Sequence, residues 1–388
     1  MRSRRRRRHN KGLTMLLGAI VAVFAILLIV VGIKAAVGGL SSDKKTKKKE
    51  EKKEETVLVT GIELACDRGV VRAGEPIELK ATVTPENATD KSISWSVPEG
   101  MGSVDGDGIY TPSTEAGKSN VVVTAKAKDG SEVNATISVR VLEAIDPTKP
   151  MVAITYDDGP NDETTPVVLD ALEKHFGVAT FFMQGCYIEG KEEILKRSYA
   201  MGNELANHSW NHPQLTKLSS DEVKKQLDDT DALIKAACPE IENPILRPPY
   251  GAFNDTVKSV VGKPIIIWSL DTLDWKTRST SATYESCMQA KDGDIILMHD
   301  IHASTVAAAE DIITGLQEKG FQLVTVSELY QYRKGDYEPG TAHYSMPVEE
   351  YNEIIARETE ATSPEGVETS EETEETTTEA TTAEAEEE

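Results

Sequence analysis

Cysteine is scarce in this 388-residue chain, and the four present (Cys66, Cys186, Cys238 and Cys287) show no Cys-x-x-Cys spacing. That excludes a zinc ribbon, a thioredoxin-like redox motif and a disulfide-built scaffold. Cys66 stands in a different region from the other three, so the thiols read as unpaired and buried. Aromatic residues are also few, at 5 %, and the apolar fraction is 39 %. The shortage is local, because both ends of the chain are poor in core-forming residues. Lys and Arg are absent from Glu358 to Glu388, and the formal net charge is −23. An acidic end opposed to a basic start (Arg2, Arg4 to Arg8, Lys11) argues against nucleic-acid binding as the main role. Charge of either sign is missing from Leu13 to Ile33. An apolar run of about 20 residues is enough to span a bilayer. It has no polar face and exceeds an ordinary signal-peptide core. With the positive cluster before it, the run predicts a signal anchor with the N-terminus cytoplasmic and the rest of the chain extracellular.

What remains divides into regions. Residues 1–12 are the basic head and 13–33 the single transmembrane helix. Residues 41–56, "SSDKKTKKKEEKKEET", form a charged linker. From 57 to 143 the chain alternates apolar and polar residues, as in "PIELKATVTP" and "NVVVTAKAK", with "PENATD", "DGDG" and "KDGS" between the runs. That spacing predicts a small β-sandwich. From 147 to 335 strands alternate with amphipathic helices, which implies parallel pairing with helices covering the sheet. Seven such strands in succession favour a barrel, with its chemistry at the carboxyl ends of the strands. Residues 336–388 are acidic and rich in Thr and Glu, and are expected as a disordered tail.

The unusual polar groups of the α/β region all fall at those strand ends. "ITYDDGPND" ends an apolar run in two adjacent acids, Asp157 and Asp158. His208 and His212 follow the third strand and Arg247 the fourth. Asp271, Asp274 and Trp275 follow the fifth, and His299 and Asp300 the sixth. On a barrel they would converge on one rim. "HSWNH" places two imidazoles four residues apart, and one carboxylate of the Asp157–Asp158 pair would complete a two-His, one-carboxylate metal set with open positions. His302 lies outside these groups and reads as structural.

The ordered stretches "TYDDGP", "HSWNHP", "RPPYG", "DTLDW" and "ILMHD" resemble the motifs of NodB-like polysaccharide deacetylases, carbohydrate esterase family four. The segment before them resembles bacterial immunoglobulin-like domains, with Trp95 as its core tryptophan. The first resemblance implies an α/β fold, a distorted (β/α)7 barrel, a divalent metal (usually zinc, with cobalt as an alternative) and removal of acetyl groups from polysaccharide. It implies Asp158, His208 and His212 as metal ligands, Asp157 as catalytic base and Arg247 as its holder. It implies His299 as general acid tuned by Asp274, and the Tyr250 backbone N–H at the oxyanion. Trp275 and Leu297 would wall the acetyl pocket. Tyr156 stands where the family often has Phe. The expected substrate is peptidoglycan, with chitin-like polymers, poly-N-acetylglucosamine and acetylated xylan as alternatives. A catalytically dead surface adhesin would lack a ligand, base or acid, and none is missing.

Overall fold

The structure, a computed structural model, describes residues 55–362. The basic head, the apolar segment 13–33, nearly all of the linker and the last part of the acidic tail lie outside these residues. Among the described residues no helix is long and apolar enough to cross a membrane.

Period-two patterning between residues 57 and 143 becomes short strands. Ser119–Ala127 pairs antiparallel with Asn134–Leu142, and Ile93–Ser96 and Val70–Arg72 complete a four-stranded sheet. A three-stranded sheet of Ile77–Glu78, Ile109–Thr111 and Ser103–Val104 supplies the second layer. Leu79, Tyr110, Val123, Val139 and Val141 are buried between the layers, with Trp95 packed against them. Along Ser119–Ala127 the inward residues Val121, Val123 and Ala125 are buried while Val122 is 46 % exposed, the alternation that a half-buried strand requires.

This β-domain is fixed to its neighbour by three arginines, Arg68, Arg72 and Arg140. Arg72 holds Glu328 with Nε at 2.9 Å and Nη2 at 2.8 Å. Arg68 donates to the carbonyls of Tyr199 and Asn203, and Arg140 to those of Leu172 and Glu173. Val70, Leu142 and Val178 form the apolar seam between them. The acceptors of Arg68 and Arg140 lie just before the strands Glu204–Asn207 and Thr180–Met183, so the β-domain sits at the amino-terminal ends of those strands, while Glu328 lies in the helix after Gln322–Val324.

The barrel starts from Met151–Asp157, every residue of which is buried. Burial on both faces is the mark of a strand in a parallel sheet covered by helices. It pairs in parallel with Thr180–Met183 and with Ile295–His299, and Thr180–Met183 pairs with Glu204–Asn207. Asn207 bridges to Leu246, and Leu246 to Ile265. Leu270–Asp271, further along that same run, pairs with Ile295–His299, which closes the ring. The seventh strand, Gln322–Val324, pairs with Met151–Ala153, on the edge that Thr180–Phe182 uses further along. Seven strands are therefore present in the expected order, but six close the circuit and the fourth is reduced to bridges at Leu246. Pro244, Pro248 and Pro249 flank that position and remove the donors a longer strand would need.

The tail boundary at 336 is corrected. Ala342–His343 adds a parallel strand to Ile265–Ile266, and Val348–Thr362 is helical. Met346 is 2 % exposed in a core with Ile295 and Tyr330. Its backbone presses on Gly293, where a Cβ would meet the Met346 carbonyl carbon at 2.4 Å. Few but well-spaced apolar residues hold this segment, too few to register as a pattern in an acidic stretch. All four cysteines are free, and Cys186 is exposed rather than buried.

Candidate active site

Parallel pairing sets the two key groups side by side. In the register of Met151–Asp157 with Ile295–His299, Asp157 stands opposite His299. His208 and His212 follow Glu204–Asn207, Arg247 adjoins Leu246, and Asp274 opens the short helix after Leu270–Asp271. These residues converge on one rim: a cavity of about 500 Å³ is lined by Asp157, Asp158, His208, His212, Tyr250, Trp275, Leu297 and His299.

Asp157 is 2 % exposed. Its Oδ1 accepts from Arg247 Nη1 at 2.7 Å, and its Oδ2 lies 3.6 Å from His208 Nε2. Arg247 has no exposed surface and is committed on several sides. Nη1 also donates to Thr155 Oγ1, Nη2 donates to the Ile267 carbonyl, and the guanidinium lies 4.1 Å from the Phe182 ring centroid. An unpaired buried carboxylate would be costly, and this guanidinium supplies the partner.

Asp158 turns the other way. Its Oδ1 is 3.6 Å from His208 Nε2 and 3.7 Å from His212 Nε2, and it accepts from Gln184 Nε2 at 2.6 Å. Burial acts against its charge, but His208, His299, His212 and the Gln184 amide outweigh that and hold it below the usual carboxylate range. Asp158, His208 and His212 can each offer one ligand atom, all within 4.8 Å of one another. Two atoms each about 2.0–2.2 Å from one ion lie roughly 3.5 Å apart in tetrahedral geometry, so these separations fit a divalent cation. His208 Nδ1 lies 2.7 Å from the Arg247 carbonyl. That contact places the proton on Nδ1 and frees the Nε2 lone pair. Burial and the neighbouring His208 lower the pKa of His212, which keeps it neutral, as a ligand must be.

On the far side His299 Nδ1 contacts Asp274 Oδ1 at 2.8 Å. Asp274 has no exposed surface, and its oxygens also accept from Trp275 N, His299 N and Thr305 Oγ1. Burial opposes the His299 charge, but this hydrogen bond and the nearby carboxylates raise its pKa above the ordinary value. Among the described residues no acceptor takes the Tyr250 N–H, whose residue sits at φ 62°. Four of the ten described non-glycine residues with positive φ (Asp158, His212, Tyr250, Arg278) line this cavity. Such conformations cost of order 1–3 kcal/mol each and gather where function holds them.

Sequence reasoning missed Gln184, Thr155 and Thr305, which brace Asp158, Arg247 and Asp274, and Trp268, which lines the cavity. Gln184 directly follows Thr180–Met183, so its strand-end position was the available signal. His302, which stands outside the motifs, also lines the cavity. Asp300 lies behind the site instead. Its carboxyl has no exposed surface, is pushed up to about 7 by burial, and accepts from Thr165 Oγ1. It approaches Gly159 so closely that a Cβ there would meet it at 2.9 Å.

A family model described as polysaccharide deacetylase matches residues 144–263. A relative from Bacillus subtilis, peptidoglycan-N-acetylmuramic acid deacetylase PdaC, is 41 % identical over 54 % of this chain and 45 % of its own length. The peptidoglycan-N-acetylglucosamine deacetylase PgdA of Listeria monocytogenes is 41 % identical over 47 % of this chain and 39 % of its own. The chain thus spans less than half the length of either relative. A chitooligosaccharide deacetylase of Sinorhizobium fredii is 34 % identical over 44 % of this chain, and there the match takes in 88 % of the relative. With that relative matched over most of its length, and with every motif residue in place around one cavity, this chain belongs to the polysaccharide deacetylase family.

Proposed function

We propose that this chain is a metal-dependent N-deacetylase of polysaccharide. It would be held at a bacterial cell surface by the apolar segment 13–33 and act on the acetamido groups of peptidoglycan. The observation that carries the reading is the pairing of Asp157 with His299 across one cavity, each braced by its own buried partner, Arg247 and Asp274. The peptidoglycan assignment is supported by the names of the two relatives at 41 % identity. Chitin-like oligomers are the alternative, by the name of the third.

A divalent ion, zinc or cobalt, held by Asp158, His208 and His212 would supply Lewis acidity toward the attacking water and the acetyl carbonyl. Asp157 takes the water's proton, with Arg247 fixing one oxygen so that the other faces the cavity. The water oxygen bonds to the acetyl carbon, and the Tyr250 N–H donates to the oxygen that gains charge. His299, held through Nδ1 by Asp274, delivers a proton from Nε2 to the nitrogen as the carbon–nitrogen bond breaks. Acetate and a free amino sugar leave. Leu297, 4 % exposed, and the face of Trp275 form apolar walls for the methyl group.

The test is mass spectrometry of peptidoglycan strands and chitin oligomers treated with the purified protein and zinc. Free amino sugars are the expected product, more of them from peptidoglycan. No deacetylation of either polymer would refute the reading.

A further inference from the structure

The catalytic groups account for one side of the cavity; the wall beyond His299 is built from other residues. Among the described residues that line the cavity, Arg278 is the one side chain with a permanent positive charge. Arg278 hangs from the turn that carries Asp274 and Trp275. Its backbone N–H donates to the Asp274 carbonyl at 3.0 Å and its Nε to the Trp275 carbonyl at 2.9 Å. Its φ is 50°, a strained value for a side chain other than glycine. Nη1 and Nη2 have no hydrogen-bond partner among the described residues. The guanidinium is thus aimed by the backbone and left with its bidentate edge open.

His302 stands beside it. The imidazole is 9 % exposed and packs 5.5 Å from the His299 ring, centroid to centroid. It lines the cavity, and no hydrogen bond to either ring nitrogen is made within the described residues. An imidazole on the cavity wall with neither ring nitrogen spent on a protein partner can turn both toward a bound ligand. Burial and then the Arg278 charge lower its pKa, so at neutral pH it offers one N–H and one lone pair. The acids on this cavity are otherwise engaged: Asp157 by Arg247, Asp158 by Gln184 and the histidines, and Asp271 by the Leu273 N–H at 2.9 Å.

We propose that Arg278 and His302 form a carboxylate-binding subsite beside the reacting acetamido group, so that the preferred sugar carries a carboxylate on an ether arm next to that group, as N-acetylmuramic acid does. The inference rests on the deacetylase reading above and specifies its substrate. His299 would serve the nitrogen on C2 of the sugar, and an arm on the adjacent C3 lies next to that nitrogen, on a cavity wall that His302 shares with His299. A guanidinium edge matches a carboxylate with two parallel hydrogen bonds.

The test compares kcat/KM of wild type, Arg278→Gln and Arg278→Lys on three glycans. One is a neutral N-acetylglucosamine oligomer. The second is a peptide-free peptidoglycan strand with free lactyl carboxylates. The third is the same strand with stem peptides attached, in which that carboxylate is an amide. Deacetylation is scored sugar by sugar. Arg278→Gln is expected to lower the ratio of peptide-free muramyl to neutral turnover about tenfold or more, through KM, the scale of one lost charged hydrogen-bond pair. Arg278→Lys should fall less. Raising ionic strength should shrink the wild-type ratio, since exposed charge pairs are screened; this measurement needs no variant to fold. Equal loss on neutral and muramyl glycans, or a wild-type ratio indifferent to salt, would overturn the subsite. If the peptide-bearing strand alone responds, the carboxylate read is the peptide's and the sugar assignment falls. If wild type deacetylates none of the three, the deacetylase reading itself fails, and the subsite with it.

Discussion

Asp157→Asn is expected to lower kcat/KM for deacetylation by about 10²–10⁴-fold, the usual contribution of a positioned general base. Zinc affinity should change far less. The asymmetry follows from how the two adjacent acids are wired. Asp158 Oδ1 faces both imidazoles, at 3.6 Å and 3.7 Å, whereas Asp157 commits Oδ1 to Arg247 at 2.7 Å. Asparagine keeps the volume and can still accept from Arg247 through its carbonyl oxygen, but the amide nitrogen cannot take a proton from water. Metal content and kcat/KM measured on the same preparation check this. A variant that loses zinc as steeply as turnover would place Asp157 among the ligands instead, and unchanged turnover would remove it from the chemistry.

Asp274→Asn is the second large effect. Asp274 has no exposed surface, and its oxygens accept four hydrogen bonds, from His299 Nδ1, His299 N, Trp275 N and Thr305 Oγ1. An amide can satisfy only part of that set, and it withdraws the charge that favours the His299 imidazolium. Turnover should fall by about 10²–10⁴-fold, as for loss of general-acid function. The pH profile carries the sign. In the wild type, burial works against protonated His299, but Asp274 and the other carboxylates win and raise its pKa. The protonated acid therefore survives to higher pH, and activity is lost as pH rises through that raised value. Removing the Asp274 charge lowers the pKa, so the alkaline limb should move to lower pH. A profile that keeps its alkaline limb while merely falling in height would mean that Asp274 acts only as packing.

The candidate site residues are legible because their chemistry is unusual for their place. Paired acids at the end of a buried strand, two histidines after another and a histidine–aspartate step after a third are improbable as packing. A parallel barrel can bring them together only on one rim. The bracing residues were not legible. Thr155, Gln184 and Thr305 are of types found anywhere, and their roles exist only once the strands are in register. Arg247 stands out because it opens "RPPYG", whereas nothing in the sequence around Arg68, Arg72 and Arg140 marks them. In the fold Arg68 and Arg140 hold the β-domain at the amino-terminal ends of two barrel strands and Arg72 holds it to Glu328, away from the cavity. His302 reads as structural because a lone histidine usually is. Its place on the cavity wall exists only once the chain is folded. The segment after 336 is masked by acidic composition, because its packed side chains Tyr337, Met346 and Ile354 do not make a periodic pattern.

The central claim is that Asp158, His208 and His212 hold a catalytic ion beside Asp157. The most direct measurement is acetate release from an acetylated glycan by chelator-stripped protein as zinc is returned, for wild type and for the His208→Ala, His212→Ala double variant. Stripped wild type should be inactive and recover fully with one zinc ion per chain, while the double variant should stay inactive at every zinc concentration that restores the wild type. Activity that survives stripping, or a double variant as active as wild type, would contradict the account.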